Sequence, residues 1–173
     1  MPDAKILANE GNRTGNLAAE PMPVAIGFHS FYRVNDAPTD QWKIHLGARD
    51  QLVLTPEALP TGERISVQSK YPDPLPLKGV KFDDVFTNMI RDAKGLGEFW
   101  IQGKTEKVSV IYGPKYDVAV VVAGPGRDSV VMEAMSAITN AFNLAHKGVY
   151  KDLQMVAPDG EWRESLPVRP SGF

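Results

Sequence analysis

Turn residues decide what this chain can become. Its 173 residues include 15 glycines and 14 prolines, and these cut the sequence into short segments from end to end. Between them run "MPVAIGFHSFYRV", "QWKIHLG", "QLVLT", "VFTNMIR", "GEFWIQ", "KVSVIYG", "YDVAVVVAG" and "SVVMEAM". Each is rich in β-branched and aromatic residues, and each is either alternating or apolar throughout. That pattern predicts an all-β chain, an antiparallel β-sandwich with strands at short intervals. "KVSVIYGPKYDVAVVVAG" reads as the clearest hairpin, with Gly113-Pro114-Lys115 as its connection. "TNAFNLAHKG" alone has helical character, with Thr139 as N-cap and Gly148 as the stop. "RVNDAPTD" and the three-proline stretch "ISVQSKYPDPLPLKGVKFDD" read as long surface excursions. The strand pattern begins almost at once, within "AKILANEG", which implies neighbouring strands supplied from outside these residues.

Composition narrows the function. A formal net charge of −2 leaves no footprint for nucleic acid, and no apolar run approaches the roughly 20 residues of a bilayer span. "MPDAKILANEG" shows no leader pattern, so the expected location is cytoplasmic. With no cysteine there is no thiolate chemistry. Three scattered histidines do not make a zinc site, so neither metal nor cofactor is expected.

Several residues stand out. Glu133 lies inside an apolar strand, sharing one face with Val131 and Met135 while Val130, Met132 and Ala134 take the other. Neither face reads as solvent. A carboxylate there loses hydration and gains basicity, which suits proton transfer near neutrality, although a solvated strand-end acid has the same spacing. His29 lies in "VAIGFHSFYRV", where Val24, Ile26 and Phe28 share one face and Gly27, His29 and Phe31 the other. The aromatic groups Phe28, Phe31 and Tyr32 offer flat surface to the C–H faces of a sugar, or simply core. In "FDDVFTNM", Asp83 and Asp84 point to opposite faces, so at most one enters a given pocket. His45 and His146 are weaker candidates.

Taken in order, "GFHSFYRV", "FDDVFTNM", "VVMEAMSAITNAFN" and the closing "GEWRESLPVRPSGF" resemble the aldose 1-epimerase (galactose mutarotase-like) family over roughly residues 20 to 173. The resemblance implies an antiparallel supersandwich and a cofactor-free reaction. Glu133 would take the anomeric hydroxyl proton, His29 would protonate the ring oxygen, and Asp83 would hold a sugar hydroxyl. From the strand reading, Phe31 is the aromatic expected to meet the sugar. Alternation groups Asp84 with Phe82 and Phe86, whereas the resemblance selects Asp83. Ala134 stands where the family has proline, and Phe31-Tyr32 reverses its Tyr-Phe pair. Family members are nearly twice as long, so residues 1–173 read as one β-sandwich domain matching the C-terminal half.

The expected activity is interconversion of hexose anomers, with a small-molecule sugar as partner and a homo-oligomer formed through exposed strand edges. A non-catalytic carbohydrate-binding protein of the same fold is the alternative. A glycoside hydrolase using Asp83 and Glu133 as paired carboxylates is a third reading, and it leaves His29 without a role.

Overall fold

The computed structural model describes residues 8–173, with side chains from residue 11 onward. The leader reading of the first residues and the strand pattern over residues 4–7 lie outside that range. In chain order the strands are β1 (Ala8–Gly15), β2 (Met22–Val24), β3 (Gly27–Phe28), β4 (Phe31–Tyr32) and β5 (Lys43–His45). Next come β6 (Ala48–Leu54), β7 (Pro60–Ser66), β8 (Leu75–Pro76), β9 (Phe82–Met89) and β10 (Gly97–Gln102). The last are β11 (Lys107–Tyr112), β12 (Val118–Ala123), β13 (Val130–Met135), β14 (Gln154–Val156) and β15 (Glu161–Ser171). Two short helices, α1 (Val67–Lys70) and α2 (Ala141–His146), lie between strands.

The chain is all-β and every pairing between its strands is antiparallel. One sheet runs β1-β15-β11-β10-β5-β8. The other runs β3-β13-β12-β9-β6-β7, with β4 also paired to β13. Their inner faces meet in one apolar core. Ile44, Phe99, Ile101 and Val110 come from the first sheet, and Phe86, Ala119, Val121 and Met132 from the second. Aromatic rings bridge the layers: Phe86 meets Phe99 at 6.4 Å between centroids, and Phe99 meets Tyr112 at 5.0 Å. Burial of such large apolar faces is the main force holding the sheets together.

Several local expectations change. β11 and β12 do not form a hairpin: β11 belongs to the first sheet and β12 to the second. The segment between them is an arch with Tyr116 wholly buried in it. Arg91 anchors the arch, donating to the carbonyls of Gly113 and Tyr116 and to the Asp117 carboxylate. β12 is apolar on both faces and β11 carries only Lys107 and Ser109 as polar residues, so alternation could not reveal that they separate. The expected continuous strand "MPVAIGFHSFYRV" is split into β2, β3 and β4, and β2 pairs with β14 rather than with β13. Asn140, not Thr139, precedes α2; it sits at φ 64 and its side chain makes no cap hydrogen bond. Gly148, at φ 71, follows the helix as expected. The proline-rich excursion is not purely surface loop: it contributes β8, pairs with β5, and buries Leu75 and Leu77.

Candidate active site

The second sheet has an outer face, turned away from the core, and cross-strand register lays it out in rows. In one row Phe31 pairs with Val131, Val131 with Val122, and Val122 with Asp83. In the next, Glu133 pairs with Val120 and Val120 with Val85. In the third, Gly27 pairs with Met135, Met135 with Val118, Val118 with Thr87, and Thr87 with Asp50. A small apolar cluster of Leu52, Val85 and Val118 forms the bed, with Leu54, Val120, Met135 and Ile138 packed on it.

His29, Phe31, Asp83 and Glu133 come to this face. Between β3 and β4 the chain leaves the ladder at His29 and Ser30, staying tethered where the Met132 amide donates to the Ser30 carbonyl at 3.2 Å. The break turns the imidazole over β13, and Nε2 of His29 lies 3.1 Å from Oε1 of Glu133. The Glu133 side chain is only 13% exposed, and the loss of hydration raises its pKa above the ordinary 4.5. His29 opposes that shift and the negative charge of Asp83 adds to it. Phe31 is 60% exposed, and its ring stacks beside His29 at 5.3 Å between centroids with 30° between planes. An imidazole, a carboxylate and an open aromatic surface therefore adjoin on one side of the sheet.

The two aspartates separate as alternation requires. Asp83 shares the Glu133 face, while Asp84 turns to the Phe82 and Phe86 side, where Nε2 of Gln51 donates to it at 2.6 Å. Lys70 and Tyr71 in turn donate to the Gln51 carbonyl oxygen. His45 is elsewhere, stacked on Trp100 and bonded through Nδ1 to Asp73 at 2.7 Å.

Residues not foreseen hold the site in place. Ser136, almost fully buried, accepts the Ile26 amide on its hydroxyl at 2.9 Å and donates its own amide to the Ile26 carbonyl at 2.9 Å. Gln154 donates to the Ser136 carbonyl and accepts from Trp162 Nε1. This chain of bonds sets β3, and with it His29, against β13. Thr87 on the third row was also missed. The pleat could have found it, because a strand that puts Asp83 on one face puts Val85 and Thr87 there too. Among the described residues, no helix is long and apolar enough to cross a membrane.

The fold has solved counterparts. A galactose mutarotase-like protein from Clostridium acetobutylicum superposes with a TM-score of 0.80 at 15% identity, over 95% of this chain and 52% of its own. The chain has the galactose mutarotase-like fold. A galactose mutarotase-like protein from Lactobacillus casei gives a TM-score of 0.69 at 11% identity, over 94% of this chain and 58% of its own. The GalM/aldose epimerase homologue from C. elegans gives 0.63 at 13% identity, over 88% and 52%. The chain thus spans about half the length of these mutarotase-like structures. No protein-family model and no curated protein matches the sequence.

Proposed function

We propose that the chain carries the acid–base face of a sugar mutarotase, an aldose 1-epimerase acting on a hexose. The contact between His29 and Glu133, 3.1 Å apart on an open face beside Phe31, carries this reading. An anomeric centre bears two oxygens on one carbon, so an adjoining base and acid can reach both. Glu133 takes the proton of the C1 hydroxyl as His29 gives one to the ring oxygen. The C1–ring-oxygen bond breaks, an open-chain aldehyde forms, and the C1–C2 bond turns. Closure on the other carbonyl face returns both protons and yields the opposite anomer. Partial burial of Glu133 raises its basicity toward the range useful at neutral pH. Phe31 offers its ring to the sugar C–H face, and Asp83, one row away, accepts from a hydroxyl. The solved mutarotase-like proteins of the same fold support the assignment.

The test is polarimetry on freshly dissolved α-glucose and α-galactose. Glu133→Gln and His29→Asn should each lower the catalysed rate by about 10²-fold or more. No acceleration by the unaltered chain overturns the catalytic reading. In that event, saturable sugar binding in a calorimeter selects the alternative, a carbohydrate-binding protein of the same fold. That alternative draws on one observation: the two groups already satisfy each other.

The exposed edges β1 and β8 of one sheet and β7 of the other suit pairing with a second copy of the chain. A monomer by light scattering rejects that association.

A further inference from the structure

Phe28 and His29 are consecutive, and the chain sends the first ring toward the core and the second onto the outer face of the sheet. The backbone bonds that tie this segment to β13 lie at Ile26, within β3 and at Ser30, and they run in the plane of the sheet. Such bonds fix His29 along the sheet, but their broad angular tolerance resists lift out of it only weakly. β3 consists of Gly27 and Phe28 alone, so Phe28 is the one side chain that can hold it down. Whatever seats the Phe28 ring therefore sets the height of the imidazole over Glu133.

That seat is Tyr116, in the arch between β11 and β12. Its ring meets the Phe28 ring edge to face, with 6.3 Å between centroids and 66° between planes. Tyr116 has no exposed surface, and the scaffold grips it from several elements. Trp162 of β15 packs against the ring at 5.8 Å. The hydroxyl accepts the side-chain amide of Asn12, on β1, at 3.1 Å. The backbone carbonyl accepts from Arg91, just beyond β9, at 3.1 Å. A ring so held is a rigid support, because a close-packed interior transmits displacement instead of absorbing it.

We propose that Tyr116 is a positioning residue for His29, acting through Phe28. Its effect on sugar turnover rests on the mutarotase reading, whereas its effect on the placement of His29 does not. Without the aromatic edge, Phe28 moves into the vacated space and β3 follows. His29 is then drawn away from Glu133 and from the Phe31 ring. A displacement of about 1 Å in a reacting group can slow a reaction by about 10²-fold. The Tyr116 hydroxyl is engaged by Asn12, so the ring and not the hydroxyl carries the effect.

The test compares the unaltered chain with Tyr116→Phe, Tyr116→Leu and Phe28→Leu. Ile44→Val, a core change on β5 of the first sheet, controls for general loss of packing. Polarimetry gives kcat and KM per folded molecule on glucose and galactose. Cross-relaxation between the His29 and Phe31 ring protons in NMR reports the placement of His29 without any sugar. Tyr116→Leu should lower kcat by about ten- to hundred-fold, change KM by less than about three-fold, and abolish the cross-peaks. Tyr116→Phe, which keeps the ring, should restore both to near the parent values, and Ile44→Val should alter neither. Phe28→Leu breaks the same contact from its other side and should repeat the Tyr116→Leu pattern; it decides the matter if Tyr116→Leu does not fold. Cross-peaks that persist in the folded leucine variants overturn the proposal, as does an equal loss in Tyr116→Phe and Tyr116→Leu. Lost cross-peaks in a chain whose parent gives no acceleration remove the mutarotase reading and keep the positioning role.

Discussion

The phenol of Tyr112, on β11 of one sheet, donates a hydrogen bond at 3.3 Å to the backbone carbonyl of Glu133, on β13 of the other. It crosses the interior of the sandwich at the residue whose carboxylate faces His29 outside. Tyr112 is fully buried, and burial holds its ionisation well above the ordinary value, so it remains a neutral donor. The core thus reaches through the second sheet to the strand that carries the site.

Tyr112→Phe keeps the ring and its contact with Phe99 but removes that donor. The expected loss is about 1 kcal/mol of stability, or roughly 2–4 °C in a thermal melt for a chain of this size. An unchanged melting temperature would show that the bond contributes nothing.

Gly27 faces Met135 across the β3–β13 pair, and a Cβ there would overlap the carbonyl oxygen of Ala134 and the Met135 sulfur. The backbone oxygen cannot move aside without breaking the ladder. Gly27→Ala should cost about 1–3 kcal/mol and lift His29 from Glu133. Sugar turnover should therefore fall by more than the loss of folded protein accounts for, measured with activity normalised to native signal in circular dichroism.

Glu133 makes stability depend on pH in a definite direction. Its folded pKa is raised, chiefly by lost hydration, so the native state holds the proton more tightly than the unfolded chain does. Its contribution is most favourable below the ordinary 4.5 and declines as pH rises through the folded value. Glu133→Gln should melt at the same temperature as the parent near pH 4 and at a higher one near pH 7. Melting curves across that range check it. A variant less stable at pH 7 than at pH 4, relative to the parent, contradicts the assignment.

Asp36 behaves in the opposite sense. Its carboxylate accepts the amides of Thr105 and Glu106 and the Thr105 hydroxyl, and these bonds lower its pKa from 3.8 to about 2. The stabilisation is complete above 3.8 and is lost as pH falls toward 2. Asp36→Ala should therefore melt below the parent at neutral pH, with the gap closing through that window. A gap that persists at pH 2 would assign the effect to packing rather than to charge.

The strand runs of β9, β12 and β13 were legible because β-branched residues between turns leave few other options. So was the opposition of Asp83 and Asp84, a consequence of period two. The arch between β11 and β12 was not legible. "KVSVIY" and "VAVVVA" both read as strands joined by a short turn, and nothing local says that Tyr116 turns inward to separate them. Thr87 was hidden for a related reason. A threonine within a strand is ordinary until its hydroxyl is found buried without a partner.

His29 and Glu133 show where sequence ends. Local pattern places each on an extended segment with apolar neighbours, because side-chain alternation is a property of any single strand. It does not say that residues more than a hundred positions apart will meet. Backbone ladders form between any two strands, so partners are chosen by which pairing buries the most apolar surface. The sequence by itself determined the strands, their turns and the two faces of each. Only the tertiary structure decided which strands became neighbours, and therefore that one face of the second sheet carries His29, Phe31, Asp83 and Glu133 together.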